Sequence, residues 1–272
     1  MSSYRTVGTI VLTGATSGIG AAAAGLLTRR TRRLVVHGPE PEHEVKQLIA
    51  DVREQGDAEV SYIQADFDEL AAVDTLATQV GELTDEVDVL INNAGRPGPE
   101  RRRLSADGNE ATLQTNYLAA VLLTELLMPR VLRAAGRVVH VASATHASAV
   151  LPLDDINLER HPYSPTTAYA RSKLAMIAHA QWLATEAPAP RPSVVSISPG
   201  VIATRLLHAM YGPVGEPIEH GARNIVQAAL SADVHSGAYL DDGIPTQPSE
   251  TACDPYFQRE LHEVTRKLLH GG

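Results

Sequence analysis

The sequence predicts an α/β protein: one doubly wound parallel sheet of about seven strands with helices on both faces. Three observations carry that expectation. Short β-branched runs alternate with longer helical segments along the chain, the pattern of repeated βαβ units. Several of the runs, such as residues 87–91 (VDVLI) and 137–141 (RVVHV), are nearly continuous in apolar residues, as strands covered on both faces must be. The 272 residues contain no Gly/Ser linker, composition break or repeat at a fixed period, so a single domain over 1–272 is the economical organisation.

Residues 9–13 (TIVLT) read as the first strand and 19–30 as the first helix. Strands follow at 34–37 and 60–64, each succeeded by a helix, at 45–55 and 70–83. The fourth strand is 87–91, a long helix covers 111–132, and the fifth strand is 137–141. A helix at 168–186 leads to a sixth strand at 192–198. The tail holds a helix near 221–230, a short strand near 237–240 and a last helix over 256–269. The loop 96–103 (RPGPERRR) is broken by proline, and its arginine run reads as a solvated face.

Apolar residues make up 44% and charged residues 20%, which fits neither a disordered nor a fibrous chain. The oily stretch 121–128 carries Glu125 and falls far short of the roughly 18 apolar residues of a membrane span. No basic segment followed by an apolar core opens the chain, so no secretory signal is expected. A net charge of −9 argues against nucleic acid or an anionic membrane as the main partner. One cysteine, Cys253, excludes an internal disulfide framework and suits a reducing, cytoplasmic location. His140, His146, His161, His179, His208 and His220 show no paired ligand spacing, so no metal site is expected. The 23 basic residues are almost all arginine, and lysine stands only at 46, 173 and 267, so each lysine asks for a reason.

Directly after the first strand comes Thr13-Gly14-Ala15-Thr16-Ser17-Gly18-Ile19-Gly20. Glycines there let the backbone turn tightly and approach a pyrophosphate at a helix N-terminus, whose dipole and free N–H groups favour an anion. The stretch TGATSGIG resembles the cofactor loop of the short-chain dehydrogenase/reductase family, and five further motifs follow in the family's order. Asn92-Asn93-Ala94-Gly95 ends the fourth strand, Asn116 lies in the long helix and Ser143 follows the fifth strand. Tyr169-x3-Lys173 opens the next helix, and Pro199-Gly200-Val201-Ile202-Ala203-Thr204 follows the sixth strand.

The resemblance covers essentially the whole chain. It implies a Rossmann-type domain that binds NAD(H) or NADP(H) along Gly14, Thr16, Ser17, Gly18, Ile19, Gly20, His37, Asn92, Ala94, Gly95, Pro199, Gly200 and Ile202. It further implies that Asp66, with Phe67 beside it, bonds the adenine amino group and that Thr204 holds the nicotinamide carboxamide. The choice between the two cofactors stays open. A carboxylate at the end of the second strand suits the ribose 2′-hydroxyl of NAD, and an arginine suits the 2′-phosphate of NADP. Pro39 stands where relatives carry the deciding residue; Glu40 could serve NAD, whereas His37 and Ser17 could bond a phosphate.

Interconverting an alcohol and a carbonyl moves one hydride and one proton, so the protein must supply an acid/base beside the nicotinamide. Tyr169 and Lys173, four apart on one helix, share a face, and a nearby ammonium favours the phenolate. Tyr169 is therefore expected to exchange the proton and Lys173 to tune it and hold the cofactor ribose. By resemblance Ser143 orients the substrate oxygen and Asn116 supports a proton relay to Lys173. The expected activity is that of an NAD(P)-dependent oxidoreductase, a ketoreductase or alcohol dehydrogenase. Isomerase, dehydratase or C=C reductase chemistry on the same scaffold, or a non-catalytic dinucleotide sensor, are the alternatives.

The stretch between Ser143 and Tyr169, which stand 26 residues apart, the SKLA that ends on Ala175, and the segment 237–272 resemble the retinol dehydrogenase-like and WW-domain-oxidoreductase-like branch, with Leu261 where relatives often carry tryptophan. That likeness implies an apolar alcohol or ketone, and it leans towards NADP(H), against which Pro39 and Glu40 stand. Residues 201–225 are expected to form the substrate loop. The apolar helices at 111–132 and 168–186 are expected to bury against a second copy, giving a homodimer or homotetramer.

Overall fold

Eight strands form one sheet in the computed structural model, which describes residues 5–271. They are β1 (Val7–Leu12), β2 (Thr31–Gly38), β3 (Glu59–Gln64), β4 (Val89–Asn92), β5 (Arg137–Val141), β6 (Ser193–Ser198), β7 (Tyr239–Asp241) and β8 (Ile244–Thr246). The order is β3-β2-β1-β4-β5-β6-β7-β8, with β1 to β7 parallel and β8 antiparallel to β7. The eighth strand exceeds the expected seven. It is three residues long, contains Pro245 and is exposed throughout, so it carries no periodic signal.

Ten α-helices connect or flank these strands: α1 (Gly18–Leu27), α2 (Glu42–Arg53), α3 (Leu70–Leu83), α4 (Ala111–Leu113), α5 (Ala119–Arg133), α6 (Pro165–Thr185), α7 (Arg205–Tyr211), α8 (Ile218–Leu230), α9 (Glu250–Cys253) and α10 (Pro255–His270). A π turn over Gln114–Leu118 joins α4 to α5 and makes one long helical segment of the expected 111–132 helix. Successive strand residues feed opposite cores, which is why the strands read as continuous apolar runs. Ile10, Leu12, Leu34 and Val36 pack with Leu27, Ile49 and Ile225 on the face of α1, α2 and α8. Val11 and Val35 pack with Val73, Leu76, Leu123 and Leu127 on the other face.

Several boundaries move for local reasons. The first helix stops at Leu27, short of Arg30: the Thr28 hydroxyl bonds Gly25 O at 2.7 Å and Arg30 N–H turns back to Leu27 O at 2.8 Å. The second strand accordingly starts at Thr31, with Arg33 paired to Glu59 across to β3 at 2.9 Å. α6 starts three residues earlier than expected, because Ser164 caps Thr167 N–H at 3.1 Å and Pro165 occupies the first turn, where its missing N–H costs nothing. Within 201–225, residues 205–211 are helical as α7, and α8 already begins at Ile218.

The helix faces expected to meet a second copy are covered by this chain itself. Leu113, Tyr117, Leu118, Val121, Leu174 and Ile177 form a third core with Leu261 of α10 and Ile156 of the segment between β5 and α6. Tyr117 Oη and Thr265 Oγ1 lie 2.8 Å apart, the rings of Trp182 and His262 stack with centroids 3.7 Å apart, and His270 reaches Glu125 at 3.0 Å. The exposed large apolar residues among those described include none from α5 or α6. The apolar surface that motivated an oligomer is thus spent on the chain's own C-terminal helix.

Leu261, 1% exposed, is the center of that contact. Leu261→Ala is expected to cost about 2–5 kcal/mol of stability, read from urea unfolding, because it opens a cavity between α10 and α6.

Candidate active site

The sheet order reverses between β1 and β4, and the strands' C-terminal ends open there onto a cleft of about 1650 Å³. At one end lies the loop after β1. Gly14 has φ +64°, and a Cβ there would stand 2.6 Å from Ala94 Cα, so the backbones of the two loops touch only because Gly14 has no side chain. A Cβ on Gly20 would collide with Gly14 O, which keeps α1 pressed against the same turn. Ser17 is the extended N-cap residue of α1 and makes no side-chain cap bond, which leaves the helix N-terminus to an outside anion.

The loop after β4 holds this turn in place. Asn93 Nδ2 donates to Thr13 O at 2.8 Å and to Gly14 O at 2.9 Å, and the Asn93 and Ala94 N–H groups both reach Thr13 Oγ1 at 3.0 Å. Asn93 lines the cleft and Asn92 does not. Asn92 is buried beneath, with Nδ2 2.9 Å from Thr124 Oγ1 and 3.2 Å from His140 Nδ1. The first asparagine ends a buried strand, so its side chain faces the core, and the second holds the loop.

His37 lines the cleft, with its ring nitrogens engaged by the scaffold. Its Nδ1 accepts Gly14 N–H at 3.2 Å, its Nε2 lies 2.9 Å from Ala65 O, and its ring stacks on Phe67 with centroids 4.3 Å apart. Both nitrogens are occupied by the scaffold, and burial pulls its pKa down to about 4, so it offers no cation to a phosphate. The side chain at this corner with free valence is Glu40. Tyr62 Oη donates to Gly38 O at 3.0 Å and Glu40 O at 2.5 Å, fixing the backbone, while Glu40 Oε2 is buried without a partner in the cleft wall beside Thr16.

Gly14, Thr16, Ser17, Gly18, Ile19, Gly20, Asp66, Phe67, Ala94, Gly95, Pro199, Gly200, Ile202 and Thr204 all line the cleft. Asp66 Oδ1 also accepts Asp68 N–H at 2.9 Å, and Thr204 Oγ1 caps α7 by accepting Leu207 N–H at 3.1 Å. The uncapped helix terminus and the glycine cradle together fit a nicotinamide dinucleotide, which they would hold with its pyrophosphate at α1.

Ser143, Tyr169 and Lys173 meet at the other end of the cleft. The Tyr169 ring centroid lies 5.4 Å from Lys173 Nζ, and Lys173 Nζ donates to Val141 O at 2.8 Å. Burial pulls the lysine down to about 8. Burial also pushes the Tyr169 phenol up, with the Ser143 hydroxyl opposing it. Desolvation of the phenolate is the largest influence on Tyr169 in the folded chain, ahead of the Ser143 hydroxyl.

Asn116 lies in the π turn, fully buried, with its side chain behind the cleft-lining Gly95. Its Oδ1 accepts Arg96 N–H at 2.8 Å and its Nδ2 donates to Arg96 O and Ser172 Oγ, both at 3.0 Å. His146, which sequence reasoning passed over, lies directly behind Ser143. Its Nδ1 is 2.9 Å from Ser143 O and its Nε2 accepts Ser249 N–H at 3.1 Å, so the tail from β8 to α9 is tied to the serine loop. No local pattern signals this contact between residues 103 positions apart.

A sheet of this order with a nucleotide-shaped cleft and a Ser–Tyr–Lys cluster defines a dinucleotide-dependent oxidoreductase. Residues 8–212 match the family model described as short chain dehydrogenase, and the chain belongs to that family. The Mus musculus polyprenol dehydrogenase is 36% identical over 96% of this chain and 84% of its own. A Streptomyces sp. (strain C5) protein provisionally named daunorubicin C-13 ketoreductase DnrU is 34% identical over 94% of this chain and 91% of its own. Retinol dehydrogenase 13 of Homo sapiens is 30% identical over 96% and 84%, in keeping with the retinol dehydrogenase-like branch. The crystal structure of an uncharacterised Mycobacterium paratuberculosis protein is similar at a TM-score of 0.81 and 28% identity, covering 98% of this chain and 96% of that one. The chain is an NAD(P)-dependent oxidoreductase acting between alcohol and carbonyl. Among the described residues, no helix is long and apolar enough to cross a membrane.

Burial lowers the pKa of His37 to about 4, of His140 to about 3 and of His179 well below 6.5. The unfolded chain takes up these protons below pH 6.5 and the folded chain does not, so stability present above that pH is lost as pH falls towards 4. Each histidine contributes up to about 1.4 kcal/mol per pH unit. Urea unfolding is expected to give a clearly lower stability at pH 5 than at pH 7, with a shallower loss for His37→Asn; equal stabilities would contradict neutral burial.

Proposed function

We propose that the chain interconverts a secondary alcohol and a ketone on an apolar substrate, with NAD(H) preferred. The observation that carries this reading is the shared cleft, with Ser143, Tyr169 and Lys173 at one end and the uncapped α1 terminus beside the unpartnered Glu40 oxygen at the other. The bound nicotinamide supplies the hydride acceptor or donor. Tyr169 exchanges the proton at the substrate oxygen, Ser143 orients that oxygen, and Lys173 positions the tyrosine and a ribose hydroxyl. Asn116 supports the site by holding the Arg96 backbone and, through Ser172, the start of α6. Glu40 accepts from the ribose diol and repels a 2′-phosphate; no arginine takes the place of Pro39 to neutralise one.

The substrate loop, about 201–225, closes the open side. α7 buries none of its residues, and Leu206, Leu207, Met210 and the exposed Tyr211 and Val214 give the mouth an apolar rim. That rim supports an apolar substrate. The self-covered faces of α5 and α6 favor a single chain in solution over the expected dimer or tetramer. The free thiol of Cys253 supports a reducing, cytoplasmic setting. No observation favors isomerisation, dehydration, C=C reduction or a sensing role.

The test is a parallel fluorescence titration with NADH and NADPH, followed by turnover on apolar ketones and secondary alcohols. NADH is expected to bind at least about 10-fold more tightly than NADPH, and Glu40→Gln to narrow that gap. Tyr169→Phe is expected to keep NADH binding and lose turnover by about 10²–10⁴-fold. Folded protein that binds neither nucleotide would overturn the reading.

A further inference from the structure

A second cavity of about 410 Å³ opens beside the substrate loop, lined by Ser148, Thr166, Thr167, Arg171 and Tyr211 among others. Arg171 lies on α6, two residues beyond Tyr169, and is only 6% exposed, yet its Nε and Nη1 are buried without a hydrogen-bond partner. A guanidinium has no acceptor and cannot lose its charge at neutral pH, so leaving its donors unmatched away from water is costly. The acid nearby does not relieve it. Asp155 gives Oδ1 to the N–H groups of Glu159 and Arg160 and Oδ2 to the N–H and ring of His161. The cavity wall adds the hydroxyls of Ser148, Thr166 and Thr167, and no carboxylate stands among its lining residues.

Tyr211 lines both this cavity and the main cleft. The two spaces therefore meet at the end of α7. We propose that the side cavity is an oxyanion subsite in which Arg171 binds a carboxylate or phosphate group, carried by the substrate at the end remote from its reacting carbon. This deepens the alcohol–ketone reading and rests on it. The substrate class becomes an apolar ketone or alcohol with an acidic terminus, and the same chemistry would admit a free anion.

Two arms test the proposal on the full chain saturated with NADH. In the first, kcat/KM is compared for a long-chain oxo-carboxylic acid and its methyl ester. The acid is expected to be preferred at least about 10-fold, the ratio to fall to about one in Arg171→Met, and Arg171→Lys to keep part of it. In the second, inorganic phosphate is titrated calorimetrically into wild type and Arg171→Met, with NADH binding as the check that each variant is folded. Phosphate binding that depends on Arg171 and competes with the oxo-acid supports a substrate-borne anion. Arg171-dependent binding without competition supports the subsite but assigns it to a free anion. An acid-to-ester ratio that Arg171→Met leaves unchanged, with phosphate binding absent or independent of Arg171, overturns the proposal. Turnover of the ester separates that result from failure of the oxidoreductase reading, and the phosphate arm stands even if neither ketone is turned over.

Discussion

The buried ammonium of Lys173 is the group on which the site depends. A charge in a dry interior must be satisfied, and the carbonyl of Val141, at the end of β5, is the acceptor it finds at 2.8 Å. That bond sets α6 against β5. Since Tyr169 lies one turn before Lys173 and Ser143 two residues after Val141, it brings the phenol and the hydroxyl to one point. His140 and His179 add a second tie between the same two elements, with Nε2 and Nδ1 3.2 Å apart. Most of α6 is buried, so the helix has little freedom to change the spacing.

The other end of the cleft is built by backbone. The turn after β1 is clamped by the Asn93 amide nitrogen and by His37, whose ring nitrogens are both engaged by the scaffold. What it presents is peptide N–H, the α1 terminus and the carboxylate of Glu40. A site of this kind binds through shape and dipoles, and one side chain at the corner sets the charge preference.

Much of this was legible because its signals are local. Strands buried on both faces must be apolar throughout, so β4 and β5 stand out in the sequence. The glycines at 14 and 20 are demanded by contacts that any larger residue would block, and the pair Tyr169–Lys173 is a one-turn spacing. What stayed hidden depends on distant partners. Asn92 and Asn93 are neighbors of the same type, and only the strand's direction tells which faces the core. His37 looked available for a ligand until Gly14 and Ala65 took its nitrogens. His146 gained its role from Ser249, and the apolar faces of α5 and α6 found their cover in α10.

The sequence by itself determined the order of strands and helices, the nucleotide-binding loop and the residues able to move a proton, because period, turn chemistry and residue type act over a few positions. The tertiary structure decided which groups remain free to act. It occupied His37 and left Glu40 open, raised the phenol of Tyr169 by burial, covered the long helices with the chain's own tail and left Arg171 without a partner beside a cavity. Hydrogen-bond satisfaction and desolvation are properties of the packed neighborhood, and segments far apart in sequence supply that neighborhood.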